Sequence, residues 1–284
     1  MKKTILASLV ACFCVGFNLV AQTPTFSTSE SVQPDRIPSK DMMYKKTVWR
    51  TIDLREKQNK PLFAFNNEIT KILVEAVRRG DLPVYKNDSL ISRLSSKEFF
   101  ANMTMVEEGN EPSPEEIRLG FTRQEDDDWK RFASANVNSN ETKANEFLPR
   151  ELYLLEIKED AIFDKKRSRM YHEIQSLTLI VPASLKTNLR NRDIIVGSFK
   201  YVDLVKVFHL YKADAFWINP RNDAENKNLA EAFELRLFSS FITKVSNPDN
   251  ASLEDLYKGP GQGLLASQQK ADKMLEFEYN LWSF

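Results

Sequence analysis

The chain has 284 residues, 42% of them hydrophobic and 28% charged, with 40 basic and 40 acidic side chains. That balance supports a sizeable core and excludes wholesale disorder. Zero net charge leaves no global field to draw in nucleic acid, and 8 glycines are few for a glycine-rich nucleotide-binding machine.

The first predicted element is an export signal over residues 1–21. Lys2 and Lys3 precede an apolar run from Thr4 to Ala21, and Ala21 is a small residue at a cleavage position before Gln22. Leu9–Cys12 also matches a lipoprotein box. It fits less well, because the chain stays apolar beyond Cys12, where a lipidated protein turns polar. Both cysteines, Cys12 and Cys14, fall in the signal, so the processed chain has none. Disulfides, thiolate metal sites and a cysteine nucleophile are thereby excluded, and the net charge becomes −2.

Residues 22–44, rich in Pro, Ser and Thr, read as a flexible leader. A mainly helical N-terminal region is expected over 45–106. It opens on an arm, residues 44–56, whose sequence fits both periods partly. A clear amphipathic helix follows at 67–79, where Ile69, Ile72, Leu73, Ala76 and Val77 share a face and Gly80 lies just past the end. A short strand fits 82–86, and a helix capped by Ser95 fits 95–103. Residues 107–146 carry 11 acids against 5 bases and read as an acidic hydrophilic linker or insertion.

From 147 to 284 the pattern predicts a C-terminal α+β domain. Strands fit 150–160, 172–183 and 193–199, while 201–211 is ambiguous between strand and helix. A helix is expected over 228–244, and another over 262–282. The whole is α+β, with a helical N-terminal part, a β-rich middle and C-terminal helices.

The chemical motifs are thin. His172 and His209 are the only histidines, so an imidazole-built metal centre or a serine–histidine–acid triad is hard to assemble. Ser267–Lys270 has the S-x-x-K spacing of acylating enzymes but no companion K-T-G element. Acidic neighbours such as Glu159–Asp160 point to opposite faces of a strand and read as solvated surface. The polar run Asn219–Glu225 has capping-box spacing at Asn222/Glu225 and Asn228/Glu231. On a 228–244 helix Glu234 falls inside the apolar arc, so it should meet a basic residue from elsewhere or face another subunit.

Four stretches together resemble the gliding-motility and secretion family GldN, called PorN in non-gliding relatives. They are KKTVWRTIDLREKQNKPL (45–62), IKEDAIFDKKRSRM (157–170), NPRNDAENKNLAEAFELRLFSSFITKVSN (219–247) and LEFEYNLWSF (275–284). Ala161–Ile162 stand where the family usually has aromatics, so the chain resembles a divergent member or paralogue. The resemblance implies a non-enzymatic, periplasmic subunit of the type IX secretion and gliding machinery, without cofactor or metal. It also implies partners: a GldK (PorK)-like outer-membrane lipoprotein, self-association in a ring, and a link to GldL (PorL)- and GldM (PorM)-like motor components.

Candidate interaction residues are Trp49 and Arg55 on the arm, Trp129 in the acidic segment, and Arg221, Glu234 and Arg236 in the 219–244 stretch; aromatics and arginine dominate interfaces. Two rival readings make different demands. A carboxylate-using periplasmic hydrolase requires two acids of displaced pKa converging in a cleft. An envelope-ligand module requires coplanar aromatics lining a groove.

Overall fold

The structure is a computed structural model that describes residues 37–105, 146–188, 190–257 and 260–281. Contacts divide the chain into Met1–Pro38 and Ser39–Phe284, and every described strand and helix lies in the second unit. That unit is α+β, built on a seven-stranded sheet in which every pairing is antiparallel.

Three long strands make the centre: β1 (Met42–Asp53), β6 (Leu154–Asp164) and β7 (Arg169–Val181). The sheet order is β11 (Phe241–Val245), β1, β6, β7, β8 (Ile194–Lys200), β4 (Val84–Tyr85) and β5 (Arg93–Leu94). Two-residue strands β2 (Phe63–Ala64) and β3 (Asn67–Glu68), and β9 (Phe216–Trp217) and β10 (Lys227–Asn228), form two small ribbons. The 44–56 stretch is therefore no free arm. Strand β1 pairs with β6 along its length and with β11 over Val48–Thr51, where its backbone is used on both edges.

Alternation along the strands sorts the side chains between two faces. Ile52, Leu155, Ile157, Leu177, Leu179 and Phe199 lie on one face and are buried in the main core. Against this core pack α1 (Ile69–Arg79), α2 (Ser96–Met103), α3 (Tyr201–Leu210) and α4 (Leu229–Glu234). Helix α1 buries the predicted Ile69, Ile72, Leu73, Ala76 and Val77. It ends in a Schellman pair: Gly80, at φ 84°, donates to Val77 O, and Asp81 donates to Ala76 O. Helix α2 starts on a complete Ser95/Glu98 capping box. Gly197 lets β4 and α2 close onto β8, since a Cβ there would lie 2.5 Å from Val84 Cγ1 and 3.0 Å from Phe99 Cδ2.

One ambiguity resolves and one expectation needs correction. The ambiguous 201–211 segment is helical, and Leu204, Val207 and Phe208 face the core. The 228–244 stretch is not one helix: α4 stops at Glu234, and β11 begins at Phe241. The break is a second Schellman pair, Arg236 N–H to Phe233 O and Leu237 N–H to Ala232 O, with Arg236 at φ 53°. No glycine marks it, so the pattern of Leu and Phe reads straight through.

Thr104 and Glu146 form a β-bridge, and Phe147 N–H donates to Met103 O. The chain thus leaves and returns at adjacent points, and the intervening segment joins two neighbouring positions of one unit. Strands from both sides of it share the sheet, and the N-terminal part, expected to be mainly helical, contributes β1. Helices α5 (Leu253–Tyr257) and α6 (Pro260–Leu281) sit beside β11. Val48, Ile242 and Leu253 form a small second core there, with Ala271 and Met274 packed on it.

Candidate functional site

Among the described residues the acid with the most ion-pair contacts is Glu159, in the KED element of β6, whose side chain is 0% exposed. Register sets Glu159 beside Val48 of β1, one step along the same face from Arg50. Arg50 Nε reaches Glu159 Oε1 at 2.6 Å, and Arg236 Nη1 reaches Oε2 at 2.6 Å. His172 Nδ1, from β7, stands 3.4 Å from Oε1, within ion-pair range. Burial opposes the charge on Glu159, but the His172 and Arg236 contacts outweigh it and hold the carboxyl far below the usual range. The next residue, Asp160, points to the other face and is also buried. It accepts from Thr47 Oγ1 at 2.7 Å and Gln175 Nε2 at 3.1 Å, and Lys45 Nζ lies at 2.9 Å. The Glu159–Asp160 pair is thus structural, not the solvated surface expected. A β-bulge on β7, where the register slips between Lys158 and Glu159, leaves Gln175 unpaired in the ladder.

Trp49 lies on the opposite face of β1 from Arg50. Its indole N–H donates to Asp88 Oδ2 at 2.9 Å, and Lys244 Nζ sits 4.4 Å from the ring centroid. Asp88 belongs to the loop between β4 and β5 and also pairs with Lys158 Nζ at 3.2 Å. Glu156 shares this face through its register with Thr51 and Thr178. Burial pushes Glu156 up to about 7, with Asp88 adding to the rise. Asp88 is itself lowered, because its bonds to Trp49 and Lys158 outweigh burial. Two acids displaced in opposite directions are what the hydrolase reading asks for. Asp88, however, is committed to Trp49 and Lys158. A cavity of about 510 Å³ lies elsewhere among the described residues, lined by His209, Lys212, Phe216, Asn226, Lys227 and Asn228.

Arg55, the other candidate on β1's flank, pairs with Asp53 at 2.7 Å and stacks 3.6 Å above the centre of the Tyr153 ring. Arg221 is exposed on the loop after β9, its backbone N–H donating to Asn219 Oδ1 at 3.0 Å. Glu234 is exposed and makes no ion pair among the described residues, so of its two expected fates the basic partner within the chain is not met. The premise failed with the helix, because α4 ends at Glu234 and the apolar arc beyond it does not form. Partial burial, then Glu231, still raises its pKa. Arg236 is turned inward onto Glu159. Trp129 lies outside the described residues.

The polar run Asn219–Glu225 folds as a capping structure. Asn222 caps a 3-10 turn over Asp223–Glu225, Asn228 caps α4, and Asn226 Oδ1 accepts from the Asn219 N–H. Both caps match the spacing; the reciprocal half at Glu231 does not form, because Lys227 takes that carboxylate at 2.6 Å. Sequence reasoning missed Arg50, Asp88, Glu156 and Glu159. The available signal was Arg50 and Glu159 each set between strand-forming residues in stretches that build β1 and β6.

These features define an α+β protein organised on one large antiparallel sheet, with a charge cluster at Glu159 turned inward. The chain belongs to the family of gliding motility associated protein GldN, which it matches over residues 37–283. It is thereby a component of the gliding-motility and type IX secretion machinery. Among curated proteins the sequence has no match.

Proposed function

We propose that the chain is a non-enzymatic structural subunit of the type IX secretion machinery. It works in the periplasm and assembles with a GldK (PorK)-like outer-membrane lipoprotein into a ring coupled to GldL- and GldM-like motor components. The observation that carries this reading is the family match across residues 37–283, nearly the whole chain. Two features support it. Arg50, Arg236 and Glu159 are spent on holding elements together, as a load-transmitting subunit requires. Helix α6 also carries exposed Leu264, Leu265, Leu275 and Tyr279, the kind of apolar surface that marks protein contacts. Over Val48–Thr51 both edges of β1 are paired, so there the strand offers partners side chains alone.

Cell fractionation tests the location. The processed chain should begin near Gln22 and partition with the outer membrane, and it should be released when the lipoprotein partner is deleted. A cytoplasmic, unprocessed chain contradicts the proposal.

A further inference from the structure

We infer that the loop of residues 86–92 is a proton-operated clasp, closed over Trp49 while Glu156 is protonated and released as Glu156 ionises. The closed state is the one described. Asp88 holds the Trp49 indole N–H at 2.9 Å and the Lys158 ammonium at 3.2 Å, and Lys158 Nζ also reaches the Asp88 carbonyl at 3.4 Å. One carboxylate therefore ties the loop to two strands, β1 and β6. Within the loop, Lys86 N–H donates to Ser92 O and Leu90 N–H to Asn87 O, two bonds that the Asp88 anchor helps to keep closed.

Glu156 stands two residues from Lys158 on the same face of β6, between Thr51 and Thr178. No hydrogen bond commits it among the described residues. The charged groups acting on it are Asp88 from the loop, Lys244 from β11, Asp193 ahead of β8 and Lys158 from its own strand, while the β1 and β7 residues directly beside it, Thr51 and Thr178, are uncharged. A proton on Glu156 leaves Lys158 to Asp88. An ionised Glu156 repels Asp88 and competes for Lys158 and Lys244, the cations that hold Asp88 and flank Trp49. Glu156 changes charge near pH 7, where such a device has use.

Trp49 fluorescence in the full processed chain tests this, isolated as the difference between the protein and its Trp49→Phe variant over about pH 6 to about pH 8. The difference signal should pass through a transition near pH 7. Glu156→Gln should hold the closed value throughout, and Asp88→Asn the released value. Hydrogen exchange at Lys86 and Leu90, corrected for intrinsic rates, should be faster by about tenfold at the alkaline end. Circular dichroism identifies any variant that has not folded, and the remaining variant then decides. A flat Trp49 signal in the unaltered protein, a transition that survives Glu156→Gln, or exchange that does not change with pH overturns the inference.

Discussion

Arg236 sits in a left-handed conformation that costs a non-glycine residue about 1 kcal/mol, and its guanidinium closes on a carboxylate with no solvent exposure. The two facts belong together: the turn that strains the backbone also aims the side chain at Glu159. Arg236→Ala keeps the strain and strips one cation from the buried acid, so it should lower stability by about 2–4 kcal/mol in denaturant titration. Arg236→Gly relieves the strain and should cost measurably less. The acid limb follows from Glu159. Its pKa is lowered on folding, so its contribution is present above the ordinary glutamate range and is lost as pH falls below about 4. Glu159→Gln should flatten that limb while lowering stability at neutral pH. Glu156 has the opposite sign. Raised on folding, it favours the folded state most below about pH 4 and progressively less as pH rises to about 7. Glu156→Gln should therefore gain stability relative to the unaltered chain at pH 8, on the order of 1–2 kcal/mol after solvent screening.

Among the elements, α1 and α2 were legible because local chemistry decides them: an unbroken 3.6-residue stripe closed by Gly80, and a box written in Ser95 and Glu98. Strand β1 was not, because its two faces carry different jobs. Val48 and Ile52 enter cores, Arg50 enters a buried ion pair, and Trp49 serves the loop, so no simple alternation survives. The α4–β11 break was hidden because its left-handed residue is an arginine, held by a partner 77 positions away in sequence. The candidate site was legible as far as the Asn222 and Asn228 caps, which are local. The inward fates of Arg236 and Glu159 depend on strand register and were not. At the β8–β4–α2 contact, Gly197→Ala places a methyl group against Val84 and Phe99. It should cost about 1–3 kcal/mol by thermal or chemical unfolding, with no change in helix content.

For the whole molecule, the bridge between Thr104 and Glu146 makes residues 39–284 one unit from which the acidic segment departs and to which it returns. The charged core ties β1, β6, β7 and the α4–β11 turn into one body, while α6 leaves Leu275 68% exposed at the side. Affinity capture of the tagged chain from envelope membranes, with co-purifying proteins identified and particles sized, tests the central claim most directly. The account predicts recovery of an outer-membrane lipoprotein in stoichiometric amount together with ring-sized particles. Recovery of the chain alone, as a free monomer from an envelope that contains the lipoprotein, would contradict it.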